Sequence, residues 1–173
     1  MDDFVEIDPD NFNHSPFRLI GKDWMLLAAE KDGKTNAMTA AWGGMGVMWR
    51  KPVTFAVVRP QRFTKEFVDA ASVFSLNFFN SGERREMLNY MGTASGRDED
   101  KIASAGLTVK RVDGAPAFAE AETIFICRKL FAQPYDPASF IDASIDGACY
   151  PGRDYHTLYI SEVIRILEKR SRA

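Results

Sequence analysis

The run Arg59-Pro60-Gln61-Arg62-Phe63-Thr64 concentrates two guanidinium groups, a hydroxyl and a proline within six positions. A β-type run ends at Arg59, Pro60 fixes the turn, and a short helix begins near Thr64. A helix start offers backbone N–H groups and a positive dipole end, so Arg62 and the Thr64 hydroxyl would complete an anion site fitting one phosphate monoester. The competing reading is a surface arginine pair beside an ordinary N-cap. Upstream, Asn36-Ala37-Met38-Thr39-Ala40-Ala41-Trp42 brings small residues, Thr and Trp into one extended segment. Strand alternation sends Met38, Ala40 and Trp42 to one face, and Thr39 and Ala41 to the other. Small residues let a flat ring lie against backbone, although taken alone the segment reads as core packing. Gly43-Gly44-Met45-Gly46 lacks both GxxxxGK[ST] and the third glycine of GxGxxG, so a wide turn is expected there, with close backbone approach to a flat ligand as the other reading.

Other chemistries are poorly supplied. The only histidines, His14 and His156, lie far apart, with no Cys or carboxylate at ligand spacing, so no metal site is expected. There is no GxSxG elbow, and Cys149 with His156 makes a weak nucleophile–base pair. Cys127 and Cys149 form no CxxC pair and read as free thiols.

The elements that must position these groups are mainly strands. Residues 22–30, 35–42, 53–59, 73–79, 107–112, 122–131 and 155–167 carry β-branched and aromatic runs, with turns at Lys31-Asp32-Gly33 and Asp113-Gly114. Short helices are expected at 64–71 with Thr64 as N-cap, from Ser81 to about Gly92, and at 97–105 with Asp98 near its start. Three prolines make 133–153 mainly loop with one helical turn. Six or seven strands with small inserted helices imply a mostly β (α+β) fold, an antiparallel barrel closed or nearly so.

The chain has 173 residues, 46 % hydrophobic, which suits one domain spanning 1–173. Lys+Arg at 22 against Asp+Glu at 24 leaves a net charge of −2, which argues against a nucleic-acid partner. The tail Arg165, Lys169, Arg170, Arg172 reads as a solvated terminus. No apolar run suggests a membrane span, and residues 1–13 hold five acids and no base, unlike a signal or transit peptide. A soluble cytoplasmic protein is expected.

NAMTAAW, a buried strand, RPQRFT at a strand-to-helix turn and FSLNFF together resemble the flavin reductase-like family of FMN-binding split barrels. SGRDEDKIASAGL is similar to that family's Ser/Arg-containing helix with its Asp-Lys pair, here Asp100-Lys101. YHTLYISEV is similar to its closing strand. The resemblance runs from residue 16 to 167 and implies a Greek-key split barrel that dimerises, with FMN near the subunit interface. It places Met38, Thr39, Ala40 and Trp42 along the isoalloxazine. Arg59, Arg62 and Thr64 hold the phosphate and ribityl chain, Asn77 supports the ribityl side, and Arg97 with Lys101 faces the other edge. His156 matches a catalytic-site histidine near the nicotinamide. Two departures stand out: Ala41 where the family often has Ser, and Ser161 in place of Gly before Glu162, which would narrow the pocket.

In function, the resemblance implies an FMN oxidoreductase that takes hydride from NADH or NADPH without a Rossmann domain. The alternatives are a flavoredoxin-like FMN electron carrier reduced by a redox protein partner, and an oxidase of a phosphorylated substrate. Thirteen Phe, three Trp and seven Met exceed what a small barrel needs inside, which supports a homodimer.

Overall fold

The computed structural model of the chain describes residue 1, residues 3–79 and residues 81–170, so Arg172 of the basic tail lies outside the described residues. Ten strands and five short α-helices alternate along it. Strands β1 (Phe4–Ile7), β2 (Met25–Lys31), β3 (Lys34–Ala40), β4 (Gly43–Met48), β5 (Lys51–Val58), β6 (Val73–Phe78), β9 (Thr123–Pro134) and β10 (Thr157–Lys169) form one sheet. Strands β7 (Val109–Val112) and β8 (Ala115–Phe118) form a separate hairpin. The helices are α1 (Pro16–Arg18), α2 (Phe63–Ala70), α3 (Ser81–Thr93), α4 (Lys101–Ser104) and α5 (Ala143–Cys149).

The large sheet runs β3-β2-β6-β9-β10-β5-β4, antiparallel at every pairing, with β1 added to β10. Its two end strands, β3 and β4, are neighbours in sequence yet are not paired, and only Ala41-Trp42 joins them. The sheet therefore curls into a barrel split along that seam. Register shifts in the β9–β10 pairing at Ile160/Ser161 and Val163/Arg165 supply the extra bend that curling requires.

Side-chain alternation divides the apolar residues between two cores. Met25, Leu27, Met38, Ala40, Phe74, Leu76, Phe78, Phe125 and Tyr159 fill the barrel, closed by Phe67 and Val68 of α2. Leu26, Ala28, Ala37, Ile124 and Ile126, one residue out of phase, face outward against Leu88 and Met91 of α3, Ile102 of α4 and the β8 residues Ala115, Ala117 and Phe118. Strands buried on both faces explain why VTFAVV and VFSLNFF are nearly continuous apolar runs.

Several sequence expectations need correction. Gly43-Gly44-Met45-Gly46 is strand β4, not a wide turn. Gly43 is needed for close strand approach: at φ +148°, a Cβ there would sit 2.2 Å from the Phe55 carbonyl oxygen. Helix α2 starts at Phe63 with Arg62 as its N-cap, so Thr64 is not the cap. Residues 97–100 are turn and bend, and α4 begins only at Lys101, capped by the Asp100 carboxylate, which accepts from the Ala103 N–H at 3.1 Å. Strands β1 and β8 were unanticipated, β9 reaches Pro134, and 143–149 is a full helix. The tail residues Arg165 and Lys169 belong to β10, where Arg165 pairs with Glu6 and Asp113.

Gly43→Ala should lower the free energy of unfolding by about 2 kcal/mol, because it combines a disfavoured φ with a backbone clash. Gly44→Ala, whose Cβ would meet only the Phe55 ring at 3.6 Å, should cost much less. Urea denaturation of both variants checks this; equal costs would show that β4 does not need its close approach.

Candidate functional site

Three adjoining cavities lie along the seam and the start of α2. The first, about 200 Å³, is lined by residues 38–42 with Val57, Arg59, Arg62 and His156. It shares Met38, Arg59 and Arg62 with a second of about 520 Å³, completed by Gln61, Phe63, Thr64, the 93–96 loop and Lys101. Phe63, Gly96 and Lys101 also border a third, about 830 Å³, reaching Asn36 and Arg97. The split barrel builds this trough because β3 and β4 part there and α2 begins beside the gap.

The middle cavity is electropositive for a local reason. The Arg62 guanidinium donates to the Gly92 carbonyl at 2.5 Å, and the Lys101 ammonium donates to the Met91 and Ala94 carbonyls, each at 2.9 Å. Both cations thus sit at the carbonyl end of α3, where the helix dipole favours positive charge. No carboxylate pairs with either among the described residues. Lys101 is only 4 % exposed, and burial, with Arg62 adding to it, pushes its pKa down to about 8. Two cations sharing a cavity without a counter-ion suit an anionic guest.

Arg59 is different. Its guanidinium pairs with Asp154, donates to the Cys149 carbonyl at 2.9 Å and lies over the Tyr150 ring. Hydrogen bonds from Arg59 and then Gln61 hold the Asp154 carboxyl below its usual range. Arg59 is thereby neutralised, and the net positive charge is left to Arg62 and Lys101.

Thr64 is buried, and its hydroxyl accepts from Asn36 Nδ2 at 2.9 Å, keeping its own proton to donate. Asn36 also crowds the 93–96 loop: a Cβ on Gly96 would lie 2.2 Å from its Oδ1, so only glycine lets the loop close over Asn36. Asn36, Ser95 and Gly96 are site-forming residues the sequence reading did not single out; the buried polar Asn in an otherwise apolar strand was the available signal. Thr39 bonds through its hydroxyl to the Leu88 carbonyl at 2.5 Å, on the α3 side, so it lines the cavity beside Ala40 while its hydroxyl is engaged elsewhere. Trp42 stays 48 % exposed, with its ring 5.2 Å from that of His156.

His156 is 8 % exposed and receives a 2.8 Å contact at Nδ1 from the Tyr150 hydroxyl. Burial first, and the Arg59 charge second, push its pKa down to about 4, so the ring is neutral at ordinary pH. Among the described residues no hydrogen bond joins Cys149 to His156, and Tyr150 occupies the ring's Nδ1.

The structure therefore gathers Met38, Thr39, Ala40, Trp42, Arg59, Arg62, Thr64, Lys101 and His156 around the first two cavities. Arg97 stands at the outer cavity only, paired with Glu66 at 2.6 Å and lying over Phe63. Asn77 is not brought in. It faces the β7–β8 hairpin, donating to the Leu26 carbonyl and Ser75 Oγ and accepting from the Phe118 N–H. Ser161 is fully buried and lines none of these three cavities, so it does not narrow them. Among the described residues no group of His, Cys, Asp or Glu could hold a metal ion.

A lysine whose pKa is depressed on folding releases its proton between about pH 8 and 10.5, while the unfolded chain still holds one. Wild-type stability should therefore rise relative to Lys101→Met as pH increases through that window. Urea denaturation of both at about pH 8 and about pH 10 measures the difference. A constant difference would show that Lys101 titrates as a free lysine.

The comparisons with known proteins agree with this fold. The profile of the flavin reductase like domain matches residues 17–173. A comparison with curated proteins returns no match. Among solved structures, an FMN-binding domain of a flavin reductases-like enzyme from Shewanella baltica superposes with a TM-score of 0.69 at 19 % identity, covering 96 % of this chain and 77 % of that one. A flavoredoxin from Methanosarcina acetivorans gives 0.64 at 23 % identity, covering 94 % and 73 %. An FMN-binding protein from Thermus thermophilus gives 0.65 at 20 %, covering 94 % and 78 %. At such identities the superpositions speak for the fold, and the profile match over nearly the whole length establishes kinship: the chain belongs to the flavin reductase like domain family.

Proposed function

We propose that this chain is a single FMN-binding domain, working in the cytoplasm as an oxidoreductase that takes hydride from NADH or NADPH and delivers electrons to an acceptor. The observation that carries it is the unpaired cation pair Arg62 and Lys101 beside the start of α2. Flavin binding in the family's named relatives supports it as well.

The donor set fits FMN. Arg62, Lys101, the Thr64 hydroxyl and the first-turn N–H groups of α2 offer charge-assisted hydrogen bonds to a phosphate dianion. The backbone of residues 38–42, bare of large side chains at Ala40 and Ala41, offers a flat wall for the ring system, with Trp42 and His156 at its rim. Bound flavin supplies the two-electron chemistry; the chain binds, orients and shields it. His156 offers a neutral polar edge at the mouth of the first cavity, where a nicotinamide would approach. Arg59, already neutralised by Asp154, shapes the wall between the cavities rather than holding the phosphate.

A carrier role without nicotinamide chemistry uses the same trough, and the likeness to a flavoredoxin favours keeping it as the second reading. The purified protein should bind about one FMN per chain. Losing the Arg62 guanidinium in Arg62→Ala should weaken FMN on the order of tenfold or more, with riboflavin affinity hardly changed. Equal losses for both flavins would remove the phosphate assignment. Steady oxidation of NADH or NADPH by FMN-loaded protein supports the reductase; reduction only by a chemical or protein donor supports the carrier.

We also propose a homodimer. Val47, Trp49 and Phe131 are exposed and apolar, and the Trp49 and Phe131 rings stand 6.3 Å apart on one outer surface of the barrel. Phe17 and Trp42 add apolar area at the cavity of about 500 Å³ in front of β4. Such aromatic surface is typical of an interface core. Light scattering should give twice the chain mass of 19.4 kDa, and a concentration-independent monomer would overturn it.

A further inference from the structure

We propose that Tyr150 is a positioning residue that fixes His156 as the Nε2–H tautomer, so that the seam cavity presents a neutral hydrogen-bond donor to whatever occupies it.

The need to satisfy buried polar atoms decides where the proton sits. Tyr150 is 3 % exposed and closes the chain segment after α5. Among the described residues its hydroxyl has a single polar partner, His156 Nδ1, at 2.8 Å. Were Nδ1 to carry the proton and donate, the tyrosine O–H would be left buried with no acceptor, which costs about 1–3 kcal/mol. The hydroxyl therefore donates, Nδ1 accepts, and the imidazole proton resides on Nε2. The ring is a wall of the cavity that also contains Met38, Trp42 and Arg62. With Nδ1 engaged, Nε2 is the ring nitrogen without a protein partner among the described residues, on a side chain more than nine-tenths buried.

The surroundings hold both rings in place. Aromatic neighbours Tyr135 and Trp42 lie 6.3 and 5.2 Å from the imidazole centroid, and the Tyr135 N–H donates to the His156 carbonyl at 2.8 Å. Arg59 lies over the Tyr150 ring at 5.3 Å and is anchored to Asp154. The charged and titratable groups around His156 are Arg59, Arg62, Asp154, Tyr135 and Tyr150. The two arginines disfavour an imidazolium, Asp154 opposes them, and burial decides the balance. Burial also raises the Tyr150 pKa, which keeps its O–H available. The preferred occupant of the cavity mouth therefore presents an acceptor, such as a ring carbonyl or carboxamide oxygen. That last step rests on the flavin reading; the tautomer does not.

Two histidines make the test direct. Ring-nitrogen NMR of the uniformly 15N-labelled apo chain, with His14→Gln to assign the pair, should show His156 protonated at Nε2 and bare at Nδ1. That pattern should persist from neutral pH down to about pH 5. Tyr150→Phe should move His156 toward a mixture of tautomers and raise its pKa, because the hydrogen bond to the neutral form is gone. Amide dispersion reports whether that variant is folded; if it is not, the wild-type spectrum alone decides. A wild-type His156 protonated at Nδ1, or a tautomer unmoved in folded Tyr150→Phe, would overturn the proposal. Because no flavin is present, its failure is separate from failure of FMN binding, which the titration above measures.

Discussion

The carbonyl end of α3 holds the site together. Three carbonyls there, Met91, Gly92 and Ala94, accept from Arg62 and Lys101, cations that come from the start of α2 and the start of α4. Those bonds pull three helices toward one point beside β3. They also explain how a lysine can be buried without a carboxylate: oriented peptide dipoles take the place of a counter-ion. Burial pushes the Lys101 pKa down to about 8, so a negative charge placed in the cavity would favour its protonated form. The two side chains that tie the helices together are thus the ones that make the cavity electropositive.

The barrel's split provides the other half. A closed barrel of this size would fill its interior with side chains and leave no trough. Here β3 and β4 end the sheet, and the two-residue link Ala41-Trp42 keeps them close without pairing them. Small residues at 40 and 41 leave the backbone reachable, whereas Met38 and Ala40 still point into the core. Gly43 then lets β4 press onto β5, so the gap opens on the β3 side of the link rather than being spread along the sheet.

Much of this is legible in the sequence, and the misses have definite causes. The barrel strands other than β1 and β4 announce themselves through β-branched and aromatic runs, and the Arg62–Thr64 turn through its charge and its place before a helix. Asn77 is misplaced because a polar residue in a strand near the site reads as site-facing. Phase decides otherwise: Phe74, Leu76 and Phe78 fill the barrel, so Asn77 and Ser75 must face the other way, onto β8. The glycine run misleads because glycines signal turns locally, while Gly43 serves a tertiary contact with Phe55 that no local pattern encodes. Tyr150 is not legible in the sequence because it meets His156, six residues on, across the irregular segment between α5 and β10, where no helix or strand period sets which side chains face each other.

The charges around the trough are sorted rather than merely abundant. Asp154 neutralises Arg59 at the rim while Gln61 donates to the same carboxylate, and Arg97 is engaged by Glu66 at the outer cavity. Between them lie Arg62 and Lys101, which among the described residues bond to carbonyls rather than to a carboxylate, with Glu99 only partly offsetting the Lys101 charge. A ligand with its negative charge at one end and a neutral planar body therefore meets a cationic seat in the middle of the trough and a charge-balanced wall toward Trp42 and His156. The polarity runs in one direction along the seam, so the orientation of such a ligand is fixed before any close contact with its ring is made. A neutral His156 preserves that gradient. Were it cationic, the seam end would compete with Arg62 and Lys101 for the anion, and the trough would lose its sense of direction.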